Sequence, residues 1–290
     1  MQGFDLDGGH DETIGVSPSG DLISVPLHRH QVSMDLVIVE LQGQYTFRPG
    51  WTASARVPFS RKDQWTDVVL VEDATPAQVE AMRANGRLHH RPELYSGIQD
   101  PQLLLGHQRA GLFRDDDVLS VSVGTSLPLG KTEANPYSAG AEGREHLHIQ
   151  FGSGTFDPLL EAAYRLGLGA ELSASAFFQS RLTFYENDKG MEAPTEFLGG
   201  FSLGRAFGRL DTKLHWTLYR QGRAYWDGEV DPNSGVRVQY VGGGASWPVS
   251  PALRLETDLR WPVQQSLLDD SSEAFEQGLT LQAGIRWSGR

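Results

Sequence analysis

The sequence predicts an all-β protein: a single closed antiparallel transmembrane β-barrel of about 12 strands, with short periplasmic turns and long extracellular loops. The first observation behind this is a two-residue rhythm. Leu279, Leu281, Ala283, Ile285 and Trp287 alternate with Thr280, Gln282, Gly284 and Arg286, and Leu253, Leu255, Thr257, Leu259 and Trp261 alternate with Arg254, Glu256, Asp258 and Arg260. Successive side chains of a strand point to opposite faces, so each segment has one apolar and one polar side. The second observation is that tight turns (48–50, 114–117, 167–169, 208–209, 248–251) alternate with longer connections (60–97, 129–145, 186–193, 223–233, 265–274). The third is that no run approaches the roughly 18 apolar residues of a membrane helix. A soluble all-β protein would turn the apolar sides to a core. An outer-membrane barrel turns them to lipid and gives a reason for long connections at one end only.

The elements follow in order. Residues 1–18 are expected as an N-terminal periplasmic tail or plug, and residues 19–290 as the barrel. From residue 31 onward the strands are placed at 31–47, 51–59, 98–113, 117–128, 146–166, 168–185, 194–207, 209–222, 234–247, 252–264 and 275–287. An even count with both ends periplasmic requires one strand before these. Segment 19–27 is assigned to it, although Pro26 suits only an edge or a strand end. The connection 60–97 is read as a long extracellular loop containing a short helix. Thr75 is its N-cap, Pro76 its first turn, and Asn85-Gly86 its stop.

Composition narrows the function. The 290 residues include 33 Gly, 15 Pro and no Cys, and carry a net charge of −12. That charge argues against nucleic acid as a partner, and the lack of Cys fits an exported protein. Met1-Gln2-Gly3-Phe4-Asp5 has neither the basic start nor the apolar stretch of a signal peptide. The chain is therefore expected to begin at a mature N-terminus with an added Met, and to reside in the outer membrane of a Gram-negative bacterium.

Four segments carry a family resemblance. They are Tyr45-Thr46-Phe47-Arg48-Pro49-Gly50-Trp51 leading into Ala55-Arg56-Val57-Pro58-Phe59, then Gly97-Ile98-Gln99-Asp100, then Val121 to Gly130, then Gln150-Phe151-Gly152-Ser153-Gly154-Thr155-Phe156-Asp157. Their order resembles the outer-membrane transporter family named after the phenol meta-cleavage degradation pathway, over roughly residues 30–290. Gln99 departs from the family's usual Gly, and the chain continues past Trp287 with Ser288-Gly289-Arg290 instead of ending on an aromatic residue. The resemblance implies a barrel that passes small, often apolar or aromatic, organic compounds.

Candidate lumen residues are the charged and polar side chains opposite the apolar rows. They are Glu171, Arg181, Asp211, Lys213, His215, Arg237, Arg254, Glu256, Asp258, Arg260 and Arg286. Mixed signs on facing strands suit either ion pairs that fill a small barrel or a pore whose charges select solutes. Six of the nine His form close pairs: His28/His30, His89/His90 and His146/His148. The topology places all three at the extracellular rim, where imidazoles two apart on a strand can share a divalent metal. Histidines that simply populate polar loop ends are the favoured explanation of the pairs, since no metal motif of fixed spacing is present. Most aromatic residues near strand ends are expected in interfacial girdles, and Trp226 in a loop is open to a stacking role. His215 and Thr217 share a face, but Thr is a weak nucleophile and no third group is evident, so no enzyme is expected. Asp115-Asp116-Asp117 and Asp269-Asp270 lack a calcium-binding loop.

The function expected is a monomeric outer-membrane channel for passive passage of small organic solutes, with the lipid bilayer and the solute as partners and no cofactor. The alternative is a non-conducting barrel that binds a metal or a partner protein at its His-bearing rim.

Overall fold

Seventeen strand segments and two helices are seen in the computed structural model, which describes residues 1–89, 92–146, 149–268 and 275–289. In chain order they are β1 (Gln2–Val16), β2 (Leu22–Arg48), β3 (Trp51–Leu70), α1 (Pro76–His89), β4 (Glu93–Ile98), β5 (Gln102–Ala110), β6 (Asp117–Ser126), α2 (Pro136–Ala141), β7 (Pro158–Gly169) and β8 (Leu172–Arg181). They continue as β9 (Met191–Glu192), β10 (Glu196–Phe207), β11 (Leu210–Gln221), β12 (Tyr225–Trp226), β13 (Glu229–Val230), β14 (Val236–Pro248), β15 (Leu253–Leu267), β16 (Glu276–Gln277) and β17 (Thr280–Trp287). β4 and β5 both pair with β3, and β16 and β17 both pair with β1, so each pair is one interrupted strand. The result is a 12-stranded antiparallel barrel, closed where β1 pairs with β2 on one edge and β17 on the other. Closure is what a bilayer demands, because an unpaired backbone group in hydrocarbon costs several kcal/mol. No helix among the described residues is long and apolar enough to cross a membrane, and the strands do the crossing.

Short turns gather at one end. Pro49 and Gly50 make the β2–β3 turn, where Gly50 takes φ +77, the left-handed value that glycine adopts without a Cβ penalty. The turn before β6 is tied by Asp117, whose carboxylate accepts from the backbone nitrogens of Leu112, Phe113 and Arg114 and from Tyr164 Oη. At the other end, β9, β12 and β13 form a separate three-stranded sheet. Trp226, weighed above for a girdle or stacking role, is buried there against Met191 and Ala193.

The apolar rows face outward. Leu281 is 55 % exposed and Ile285 75 %, as only a lipid-facing side chain of this type can usefully be. Val39, Leu41, Tyr45, Phe47, Val57, Phe59, Val123, Leu203, Leu214, Leu255, Leu259 and Trp261 continue this belt around the barrel. The protein is a transmembrane barrel of the outer-membrane type.

Four expectations are corrected. Residues 1–18 are not a tail or plug: Gln2–Val16 is the first barrel strand, paired with β2 from Gln2↔Ile38 to Val16↔Leu22. Segments 19–27 and 31–47 are not two strands but one, the 27-residue β2. Pro26 is accommodated because the β1–β2 register shifts between Glu12 and Ile14, so its missing N–H falls at an irregularity. The connection 60–97 is shorter than expected, since β3 continues to Leu70 and β4 begins at Glu93; α1 lies within it. The strand placed at 146–166 begins only at Pro158, and the chain before it turns into the barrel.

One cause explains the first two differences. On β1 and β2 beyond the belt, Asp5, Asp7 and Asp11 point outward beside Asp35, Ser33 and Arg29, while Phe4 and Leu6 point inward beside Leu36 and Met34. Here the outer face of β1 and the facing part of β2 is polar, and the inner face mixes apolar with polar side chains, so the lipid-facing alternation is lost.

Candidate functional site: the barrel lumen and the histidine cluster beneath α1

Charged side chains line the inner face in connected groups. Asp258 is 6 % exposed and lies beside three cationic or imidazole groups: Lys213 Nζ at 2.9 Å, Arg260 Nε at 3.0 Å and His215 Nε2 at 3.1 Å. Lys213 and His215 stand on β11 and Asp258 on β15, with β14 between them. The side chains meet across β14 because its inward positions are Gly242 and Gly244. A Cβ on Gly242 would lie 2.3 Å from the Leu259 carbonyl oxygen and 2.5 Å from His215 Cε1, and one on Gly244 2.6 Å from Lys213 Cε. Nearer the turn end, Arg254 reaches Asp211 at 2.6 Å and Arg286 reaches Glu256 at 3.0 Å. Toward the loops, Arg181 pairs with Glu196 at 3.0 Å, and Glu196 accepts from Tyr219 Oη at 2.6 Å. On the opposite wall Arg56 makes a bidentate pair with Glu161 at 2.6 and 2.9 Å, flanked by Gln102 and Gln179. Two-point guanidinium–carboxylate bonds fix both side chains against the wall.

An apolar cluster packs against the inner side of β1, β2 and β4. Phe4 and Leu6 of β1, Val32, Met34 and Leu36 of β2, and Tyr95 of β4 form one cluster with Ile149, Phe151 and Phe275. Ile149 and Phe151 come from the β6–β7 connection, which folds inward and is anchored by Asp100. That carboxylate, 4 % exposed, accepts from Gly130 N at 2.8 Å, Ser153 N at 2.7 Å and Ser153 Oγ at 3.0 Å. Gly152 is required there, because a Cβ would lie 2.3 Å from Asp100 Oδ1. Lys62 reaches over the same segment, donating to the Gln150 carbonyl at 3.2 Å with its ammonium 5.0 Å from the Phe151 ring centre. Three of the four segments that carried the family resemblance therefore meet at Asp100.

Of the candidate lumen residues, Arg181, Asp211, Lys213, His215, Arg254, Glu256, Asp258, Arg260 and Arg286 share these inward networks. Glu171 does not: it sits exposed in the β7–β8 turn at φ +64. Arg237 does not either. It is exposed beside Arg220 on the outer face, because Val238 and Tyr240, its neighbours in alternation, take the inward positions. Arg56, Glu161, Glu196, Lys62 and Asp100 were missed. Arg56 and Glu161 were within reach, since each falls opposite an apolar row of its strand.

His215 Nδ1 lies 3.4 Å from Thr217 Oγ1, so acid, imidazole and hydroxyl stand in line. Efficient proton transfer needs about 2.6–3.2 Å, and the Asp258 carboxylate is engaged by Lys213 and Arg260 as well. The group acts as an ion-pair hub.

The histidine candidates divide. His28 and His30 are fully buried on the inner face of β2, with Nε2 atoms 3.1 Å apart. Beside them stand His10 and Glu12 of β1, missed because residues 1–18 were not read as a strand. Glu12 Oε2 is 3.6 Å from His30 Nδ1 and 3.7 Å from His10 Nε2, and it accepts from Asn85 Nδ2 of α1 at 2.8 Å. Helix α1 covers the group, with Ala81 and Met82 buried against Val25 of β2. His146 is not on a strand, and its Nδ1 lies 2.8 Å from the Arg144 carbonyl oxygen. It lines a cavity of about 340 Å³ together with His10, Glu12, Asn85 and Tyr137. His90 and His148, and the side chain of His89, lie outside the described residues, as do Asp269 and Asp270.

Comparison with solved structures establishes the fold. The COG4313 outer membrane channel from Pseudomonas putida F1 superposes with a TM-score of 0.56 at 12 % identity, covering 98 % of this chain and 94 % of that one. This chain has the fold of an outer-membrane channel barrel. The NanC porin gives a TM-score of 0.44 at 8 % identity, covering 99 % of this chain and all of that one. The CymD monoaromatic hydrocarbon channel gives 0.43 at 10 % identity, covering all of this chain and 88 % of that one. No family model matches the sequence, and no curated protein does.

Proposed function

We propose that this barrel is an outer-membrane channel through which small apolar or aromatic organic solutes diffuse passively. The observation that carries the reading is an apolar patch on the inner wall, where the partly exposed Phe4, Leu6 and Phe151 pack over buried Met34 and Leu36. A lumen lined only by charged groups would offer apolar solutes no such surface. At this patch an apolar solute exchanges water for hydrocarbon, a gain of roughly 25 cal/mol per Å² of apolar surface covered. The charged groups are held in pairs, so they leave the path hydrated without fixing a strong net field. The solved barrel of similar fold is an outer membrane channel, which supports the passage part of this reading and not the choice of solute. Flux into liposomes tests it. The protein is expected to admit benzyl alcohol-sized aromatic solutes faster than sugars of similar mass, and Phe151→Asp to narrow that difference. A reconstituted barrel with neither solute flux nor resolvable current would refute the proposal.

A further inference from the structure

We infer that His10, Glu12 and His30 form a binding site for one divalent transition-metal ion of the zinc class, with an open coordination position facing the cavity beneath the loops. This site is independent of which solute the barrel passes.

The donor set comes first. Two imidazoles and a carboxylate suit zinc and its first-row neighbours, and three protein ligands leave a fourth position for water or a ligand. The three donor atoms all lie within 4.8 Å of one another. Tetrahedral zinc with bonds of about 2.1 Å separates its ligand atoms by roughly 3.4 Å. Glu12 Oε2 stands at 3.6 Å from His30 Nδ1 and 3.7 Å from His10 Nε2, close to that spacing.

The hydrogen-bond order prepares the ligand. His28 Nδ1 lies 3.0 Å from the Pro26 carbonyl oxygen, which can only accept, so this nitrogen carries the hydrogen. In neutral His28 the other nitrogen is then an acceptor, and it receives the hydrogen of His30 Nε2 at 3.1 Å. His30 Nδ1 faces the Glu12 carboxylate at 3.6 Å, and the ring is also held by a hydrogen bond with the Met82 backbone. A ring whose far nitrogen donates to a fixed acceptor is the usual arrangement of a metal-binding histidine. Asn85 orients the carboxylate in the same way, donating to Glu12 Oε2 at 2.8 Å and to the Ile14 carbonyl at 3.2 Å. His28, Pro26 and Asn85 thus fix the positions of the ligands from behind.

Access matches the chemistry. His10 and Glu12 line the cavity of about 340 Å³, while His30 is fully buried behind them. An ion arriving through the cavity meets His10 and Glu12 first and His30 last.

The experiment is a titration of the refolded, detergent-solubilised full chain with Zn²⁺ after chelator treatment, followed by calorimetry, with Co²⁺ absorption as a second readout. The expected result is one ion per chain and intense visible Co²⁺ bands of low coordination number. His10→Ala and Glu12→Gln are each expected to weaken binding at least tenfold, and Asn85→Ala by about tenfold, the scale typical of a lost outer-shell partner. His107→Ala, on β5 beside Trp51, is expected to bind as the parent does. Heat-modifiable mobility on gels confirms that each variant has formed the barrel. Absence of stoichiometric binding in the folded parent would overturn the inference, as would unchanged affinity in both His10→Ala and Glu12→Gln.

Discussion

Asp100 and Ser153, 53 residues apart in sequence, are joined by two hydrogen bonds to a single carboxylate oxygen, one from the Ser153 amide at 2.7 Å and one from its hydroxyl at 3.0 Å. This contact turns the β6–β7 connection inward and places Phe151 against the β1–β2 wall. The width of the lumen at this level therefore depends on a contact outside the barrel's own ladder.

Replacing Asp100 isolates that contact. Asp100→Ala leaves buried donors without their acceptor, each worth about 1–3 kcal/mol. The strands do not depend on it, so the barrel is expected to fold while the inward segment loosens. Single-channel recording checks this: larger and noisier current than in the parent is expected, and identical current would show that the segment is held by other means.

The glycines between Lys213 and Asp258 give a second prediction. Gly242→Val places new atoms against the Leu259 carbonyl and the His215 ring. Overpacking of this kind costs typically 1–3 kcal/mol, and here it also pushes His215 away from Asp258. Urea unfolding in lipid vesicles is expected to show the loss, whereas Gly208→Ala, with nothing within 4 Å of the added atom, should show only the strain of its φ of +61.

Charge in the lumen gives a third. Asp258→Asn removes one negative charge from a group that includes Lys213 and Arg260. Permeability is expected to shift toward anions, read as a change in reversal potential across a salt gradient. An unchanged potential would place Asp258 off the conducting path.

The belt gives a fourth. Leu281 faces lipid opposite Leu259, and Gln282 beside it faces the lumen and meets Arg260 at 3.0 Å. Leu281→Arg is expected to cost about 2–4 kcal/mol if it lies near the bilayer midplane. Gln282→Arg should cost less. Equal effects of the two in vesicle unfolding would contradict the assignment of faces.

How much of this was legible in the sequence depended on where a strand stands relative to lipid. β15 and β17 lie in the belt, so the alternation of Leu255, Leu259, Leu281 and Ile285 with charged residues could be read directly. β1 could not. Phe4 and Leu6 face inward and Asp5 and Asp7 outward, and short polar alternation containing Gly8 and Gly9 does not resemble a membrane strand. His10 and Glu12 were hidden with it. The alternation around His146 and Ile149 suggested a strand, but the contacts of Asp100 with Gly130 and Ser153 take that segment into the lumen instead. Periodicity carries no information on such long-range polar anchors. The same limit applied to Arg237, placed by rhythm in the lumen but directed outward by the register of β14.

Solute flux through the reconstituted barrel tests the central claim most directly. Liposomes containing the parent protein are expected to admit a small aromatic alcohol several times faster than a sugar of similar mass, with the difference reduced by Phe151→Asp. Uptake equal to that of protein-free liposomes for both solutes, from a barrel shown to be folded and inserted, would contradict it.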